Sequence, residues 1–187
     1  ALSVAKDRTI RLWDLIKGRC AFTRRLQGGA ANQVKWSPAG DAYALLFDRA
    51  VQVHTAADNA IACTLEHAKR VNAFAFMTQS PLIVTAGDEK ILRFFQTSDG
   101  QLVRELDLSS IFPYRIRALS IAGDLGVVCS STGSVQVWDL ERIAQGGGGD
   151  GKAADGASST AQIEEVAECL VDAYETADDA RVTCVSA

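Results

Sequence analysis

Four short segments repeat one alternation of apolar and polar residues: Thr9-Ile10-Arg11-Leu12-Trp13-Asp14-Leu15, Ala50-Val51-Gln52-Val53-His54, Ile91-Leu92-Arg93-Phe94-Phe95-Gln96 and Ser134-Val135-Gln136-Val137-Trp138-Asp139-Leu140. A period of two sends neighbouring side chains to opposite faces, so each segment predicts a strand. From Trp13 to His54, Phe95 and Trp138 the large ring recurs at intervals of 41, 41 and 43 residues. That spacing is the length of one four-stranded module.

The remaining strands fall into place around this position. A strand precedes it at 2–5, 43–47, 82–86 and 125–130, and Asp7, Asp48, Glu89 and Thr132 stand six residues before the ring, where a tight hairpin reverses the chain. The first strands of the cycle are 33–36, 71–76 and 116–121. Two of them run into Ser37-Pro38-Ala39-Gly40-Asp41 and Gln79-Ser80-Pro81, which turn the chain. Outer strands follow at 20–26, 61–65 and 102–106.

Trp13-Asp14 and Trp138-Asp139 are the dipeptide that names the WD-repeat family, and His67 stands near that family's loop histidine. Nearly the whole chain resembles this family. The resemblance implies an all-β fold, a WD-repeat β-propeller with about four blades of a seven-bladed ring, interrupted at both ends. Blades are expected at 1–26, 32–65, 71–106 and 116–140, all within 1–144. Residues 145–162 read as a Gly/Ser-rich flexible insertion, and 163–187 as the outer strand of the last blade, around 169–173, followed by the first strand of another. The ring residues Trp13, Phe95 and Trp138, with Trp36, are expected to fill the core between sheets, and His54 to pack in place of a tryptophan. Asp7, Asp14, Asp48, Asp88 and Asp139 are turn positions whose carboxylates accept hydrogen bonds from loop donors. Because His54 and Phe95 replace the tryptophan, the side-chain network is expected to be incomplete in the two middle blades. His67, in a loop, has the ordinary imidazole range in which to titrate near neutral pH.

Composition adds bounds. With 187 residues and 48% hydrophobic content, the chain has material for one packed body. The net charge of -4 divides unevenly: residues 1–144 hold 17 Lys/Arg against 14 Asp/Glu, and residues 145–187 hold 2 against 9. That acidic end argues against uniform nucleic-acid binding. No run of about 18 apolar residues predicts a membrane span, and the first residues lack a secretory pattern. Five cysteines without close pairing, beside two histidines, predict reduced, buried thiols and no familiar zinc spacing.

Candidate chemistry is sparse. Gly146 to Lys152 has the glycine and lysine spacing of a phosphate-binding loop, but Ala153 stands where a magnesium-binding hydroxyl belongs, and a low-complexity linker accounts for the run. No nucleophile stands beside a histidine, and Glu164-Glu165 and Asp178-Asp179 read as solvated charge. No catalytic residue, cofactor, metal or small-molecule substrate is therefore expected. Lys69-Arg70 and Arg115 with Arg117 recur at the start of a blade's first strand, on one face of the propeller. They form a candidate basic rim for phosphates or an acidic protein.

The chain also resembles one subfamily in particular. The opening run from Ala1 to Leu15 with Gly18-Arg19-Cys20-Ala21-Phe22 resembles the p21-activated protein kinase-interacting protein family. So do Val34-Lys35-Trp36-Ser37-Pro38-Ala39-Gly40, Ala86-Gly87-Asp88-Glu89 with Ile91-Leu92-Arg93-Phe94-Phe95, and Ala180-Arg181-Val182-Thr183-Cys184. The glycine-rich insertion and the stretch from Asp107 to Ile121 depart from it. The resemblance implies a non-catalytic scaffold in assembly of the large (60S) ribosomal subunit, in the nucleus and nucleolus. Its implied partners are pre-ribosomal assembly factors and, indirectly, pre-rRNA. The alternative it implies is a cytoplasmic signalling adaptor that restrains a p21-activated kinase.

Overall fold

The computed structural model describes residues 1–110, 114–145 and 169–175. They form an all-β propeller of four antiparallel sheets, one of three strands and three of four. The first sheet contains β1 (Leu2–Val4), β2 (Thr9–Asp14) and β3 (Arg19–Arg25); the second contains β4 (Gln33–Trp36), β5 (Ala42–Leu46), β6 (Ala50–Thr55) and β7 (Ile61–Glu66). The third contains β8 (Val71–Phe76), β9 (Leu82–Gly87), β10 (Ile91–Gln96) and β11 (Leu102–Asp107). The fourth has β12 (Ile116–Ala122), β13 (Leu125–Ser130) and β14 (Ser134–Asp139), then α1 (Leu140–Gln145) and, further along the chain, β15 (Leu170–Glu175). In every sheet the strands lie side by side in chain order.

The repeat is kept down to single hydrogen bonds. Leu26 N donates to Arg8 O (2.7 Å), His67 N to Arg49 O (2.9 Å) and Leu108 N to Lys90 O (3.0 Å), each 41 residues after the last. Gly18, Asn59 and Gly100, also 41 apart, all have positive φ, at 60°, 59° and 74°. Glycine tolerates that conformation freely and asparagine better than most other residues.

Each ring position carries a β-bulge. The pairing with the outer strand slips between Leu12 and Trp13, Val53 and His54, Phe94 and Phe95, and Val137 and Trp138. An extra outer-strand residue at these points sharpens the twist of the sheet. Leu170 pairs with Trp138 and Tyr174 with Val135, so β15 completes the fourth sheet.

The cores lie between sheets. Leu92, Phe94, Leu119, Val128 and Trp138 join the third and fourth; Val51, Val53, Phe74, Phe76, Ile83 and Phe95 join the second and third; Ile10, Tyr43 and Leu45 join the first and second. All six residues of β9 are buried, and its apolar run has little polar alternation, as expected of a strand covered on both faces. The ring residues do not share one fate. Trp138 is 0% exposed and Phe95 7%, but Trp13 is 36% exposed and Trp36 37%, contrary to the expected core filling. Trp13 belongs to none of the apolar clusters between sheets, whereas Trp138 sits in the one that joins the third and fourth, and Trp36 ends β4 and meets Tyr43 edge-on at 5.6 Å. Cys20 also departs from expectation: it is exposed, whereas Cys63, Cys129 and Cys169 are buried, all four as free thiols. Burial pushes the Cys129 thiol up to about 11, which keeps it protonated and unreactive.

The helix α1 was not legible in the repeat. Asp139 Oδ1 accepts the Arg142 N–H at 2.9 Å, the arrangement of a helix N-cap, while Leu140 and Ile143 turn into the core. The corresponding Asp14 accepts the N–H groups of Ile16 and Lys17 at 3.1 and 3.0 Å and stabilises a turn instead. The same carboxylate chemistry thus starts a helix only where apolar residues follow at helical spacing.

Candidate binding faces

The connections that enter the first strand of each blade share one end of the propeller with the hairpin turns between second and third strands. Lys69 and Arg70 precede β8, Arg115 precedes β12, and Arg117 is its second residue; all four side chains are exposed. Asn72 joins the two strand starts. Its Nδ2 donates to Asp88 Oδ1 and to Ile116 O, both at 2.8 Å, so the first turn of one blade is latched to the next. The residues flanking Arg70 and Arg115 are thereby held together. Arg70 Nε is 3.5 Å from Asp48 Oδ1, while among the described residues Lys69, Arg115 and Arg117 have no ion pair. Asp88 contributes twice, because its own N–H donates to Arg70 O at 3.0 Å.

Beneath this rim lies a charged cluster that sequence reading did not find. Arg93 forms ion pairs with Glu89, in the hairpin turn before its strand, and with Glu105 on the adjacent strand. Its Nη1 stands 3.0 Å from His67 Nδ1. A guanidinium only donates, so Nδ1 accepts and the imidazole is neutral with its proton on Nε2. Burial, reinforced by the Arg93 charge and opposed by Glu89 and Glu105, lowers the His67 pKa to about 4. His67 therefore does not titrate near neutral pH, correcting the expectation drawn from its place in a loop. Its ring also packs edge-on against Phe95 at 5.6 Å. The alternation of Ile91-Leu92-Arg93 shows that Arg93 and Phe94 face opposite ways, but nothing in it shows which partners the sheet brings to the arginine.

The other repeat positions serve local structure. Asp7 Oδ1 accepts the Thr9 hydroxyl at 2.6 Å and its N–H at 2.9 Å, and these bonds, with Arg11 nearby, hold the carboxyl below its usual range. Trp13 Nε1 donates to Ser3 Oγ at 2.8 Å. Among the described residues the buried Trp138 Nε1 has no hydrogen-bond partner, in contrast to the Nε1 of Trp13. His54 is buried and stacked flat on Tyr43 at 5.1 Å; burial lowers its pKa, aided by the Arg24 charge and opposed by its contact with Asn59 O. Neither histidine is placed to act as a proton shuttle. Among the described residues no group of three or more His, Cys, Asp or Glu could hold a metal ion, and no helix is long and apolar enough to cross a membrane. The Gly146 to Lys152 run, both acidic pairs and the segment 180–184 lie outside the described residues.

No family model matches the chain. Individual relatives do. A p21-activated protein kinase-interacting protein 1-like protein of Xenopus laevis is 32% identical over 146 residues, covering 76% of this chain and 40% of the relative. The p21-activated protein kinase-interacting protein 1 of Homo sapiens is 30% identical over 147 residues, covering 76% and 36%, and that of Mus musculus is 38% identical over 95 residues, covering 51% and 24%. The chain thus spans about two fifths or less of the length of these curated relatives. The four sheets, the 41-residue recurrence of backbone bonds and this similarity agree: the chain is a WD-repeat β-propeller protein that resembles the p21-activated protein kinase-interacting protein family.

Proposed function

We propose that the chain is a non-catalytic scaffold that binds other macromolecules, and that it serves assembly of the large ribosomal subunit in the nucleolus, as the family resemblance implies. The observation that carries the binding role is the rim: Asn72 holds two blade entries side by side, and Lys69, Arg70, Arg115 and Arg117 project from them on a rigid sheet edge. Clustered cations on a fixed frame raise the local potential and steer an anionic surface into register without any chemical step. Pre-ribosomal assembly factors are the direct partners in this reading, and pre-rRNA an indirect one.

A second reading is favoured by the names of the relatives, which are called kinase-interacting proteins. On that reading the same face receives a p21-activated kinase in the cytoplasm and restrains it. Affinity purification of the full-length protein separates the two. Recovery of pre-rRNA and large-subunit assembly factors, lost when Lys69, Arg70 and Arg115 are changed to Glu, supports the scaffold. Recovery of a kinase regulatory segment alone supports the adaptor. Unchanged recovery of either partner by the triple variant removes the rim from both.

A further inference from the structure

A groove of about 210 Å3 opens between the first and second sheets. One wall is a row across three strands, Leu2 paired with Leu12 and Leu12 with Phe22; the other is Trp36, Tyr43 and Asn59. Trp36 ends a first strand and Asn59 lies between a third and a fourth strand, so the groove is at the end of the blades opposite Lys69 and Arg115. It is separate from the rim. Phe22 is 38% exposed, an unusual state for a large ring facing a neighbouring sheet. An apolar cavity of about 150 Å3 accepts a benzene ring, so the space suits one large apolar side chain.

Charge narrows the occupant. Residues 1–26 carry seven Lys/Arg against two Asp/Glu, whereas residues 32–65 carry two against three. The first blade is therefore the cationic part of the molecule. Arg24 lies two residues from Phe22 on the same strand and so on the same face, and its Nη1 donates to Asn59 O at 2.8 Å. That bond fixes the guanidinium at the groove, where among the described residues it has no carboxylate partner. A guanidinium has five N–H donors, so those not used on Asn59 O remain for a carboxylate.

We propose that this groove docks an acidic peptide segment, which inserts one aromatic or branched aliphatic side chain between Phe22 and Trp36 and places a carboxylate on Arg24. The proposal rests on the binding-platform reading and names one of its sites and the chemistry of that partner. A peptide fits better than a nucleic acid. The walls are largely apolar, and both oxygens of Asn59 are already engaged, its carbonyl by Arg24 and its Oδ1 by the Tyr43 hydroxyl at 3.2 Å, leaving few acceptors for the donors of a base edge.

The test uses the full chain, randomised 12-residue peptides displayed for selection, and a 12-nucleotide oligouridylate as the anionic control. Selected peptides are expected to share one large apolar residue flanked by Asp or Glu. Their affinity should fall at least tenfold with Arg24→Glu and with Phe22→Ala, while Arg25→Glu, the same charge change on the opposite face of β3, should cost less than threefold. Thermal melting of each variant reports folding, and Arg24→Lys keeps the charge if Arg24→Glu proves unfolded. Equal losses for Arg24→Glu and Arg25→Glu, indifference to Phe22→Ala, tighter binding of the oligouridylate, or no selected peptide would each overturn the groove. Those outcomes leave the rim and its purification test untouched, so the two readings fail separately.

Discussion

Arg93 Nη1 donates to His67 Nδ1 across 3.0 Å, joining the third strand of one blade to the connection that enters it. The bond exists only while the imidazole is neutral. Protonation would oppose a cation to the guanidinium beneath the rim, and the lowering of the His67 pKa to about 4 is the same statement in thermodynamic form. The unfolded histidine, at about 6.5, binds protons more readily than the folded one. The contribution is therefore fully present above pH 6.5 and lost as pH falls toward 4, by at most about 3 kcal/mol. Denaturant midpoints measured from pH 7.5 to 4 should fall more steeply in the parent than in His67→Gln, whose amide oxygen accepts from Arg93 without titrating. Parallel curves would show that His67 is not the group responsible.

The exposure of the ring residues orders a second set of outcomes. Trp138→Ala removes a fully buried indole and should cost about 3–5 kcal/mol, because the cavity cannot collapse between two sheets. Trp13→Ala, at a side chain 36% exposed with one hydrogen bond to Ser3, should cost about half of that or less. Equilibrium unfolding ranks the two; equal losses would contradict the unequal packing of the first and fourth sheets.

Asn72→Ala tests the latch. It leaves Asp88 Oδ1 and Ile116 O without their shared donor, a loss of about 1–3 kcal/mol for partly buried groups. Hydrogen exchange should quicken at the starts of β8 and β12 while the first two sheets keep the parental protection. Uniform acceleration would mean that the bond supports the whole fold rather than one junction.

Two backbone substitutions in one hairpin should act in opposite directions. A Cβ at Gly87 would lie 2.1 Å from Arg70 O, against backbone that cannot swing aside, so Gly87→Ala should destabilise by about 1–3 kcal/mol. Lys90 holds φ at 62°, a conformation that costs a non-glycine residue about 1–2 kcal/mol, partly offset by the greater unfolded freedom of glycine. Lys90→Gly should raise the melting temperature slightly, and a clear drop would count against this turn geometry.

The blade boundaries were readable because a strand's period of two and a module of about 41 residues are written in local composition. Ile10, Val51, Leu92 and the ring residues that follow them mark the same strand in each repeat. Gly18, Asn59 and Gly100 mark a turn in the same way, since the left-handed conformation restricts which residue stands there. What a period cannot express is which surfaces meet. Trp13 and Trp138 share a dipeptide and a bulge, yet one is open and the other enclosed, because burial depends on the sheet opposite rather than on the strand that carries the ring. Arg93 finding His67, Asn72 reaching Ile116 and Arg24 closing on Asn59 are contacts between residues 26, 44 and 35 positions apart. Strand alternation chose the face each of these side chains leaves from, and only the packing of connections and neighbouring sheets around it decided what it met there.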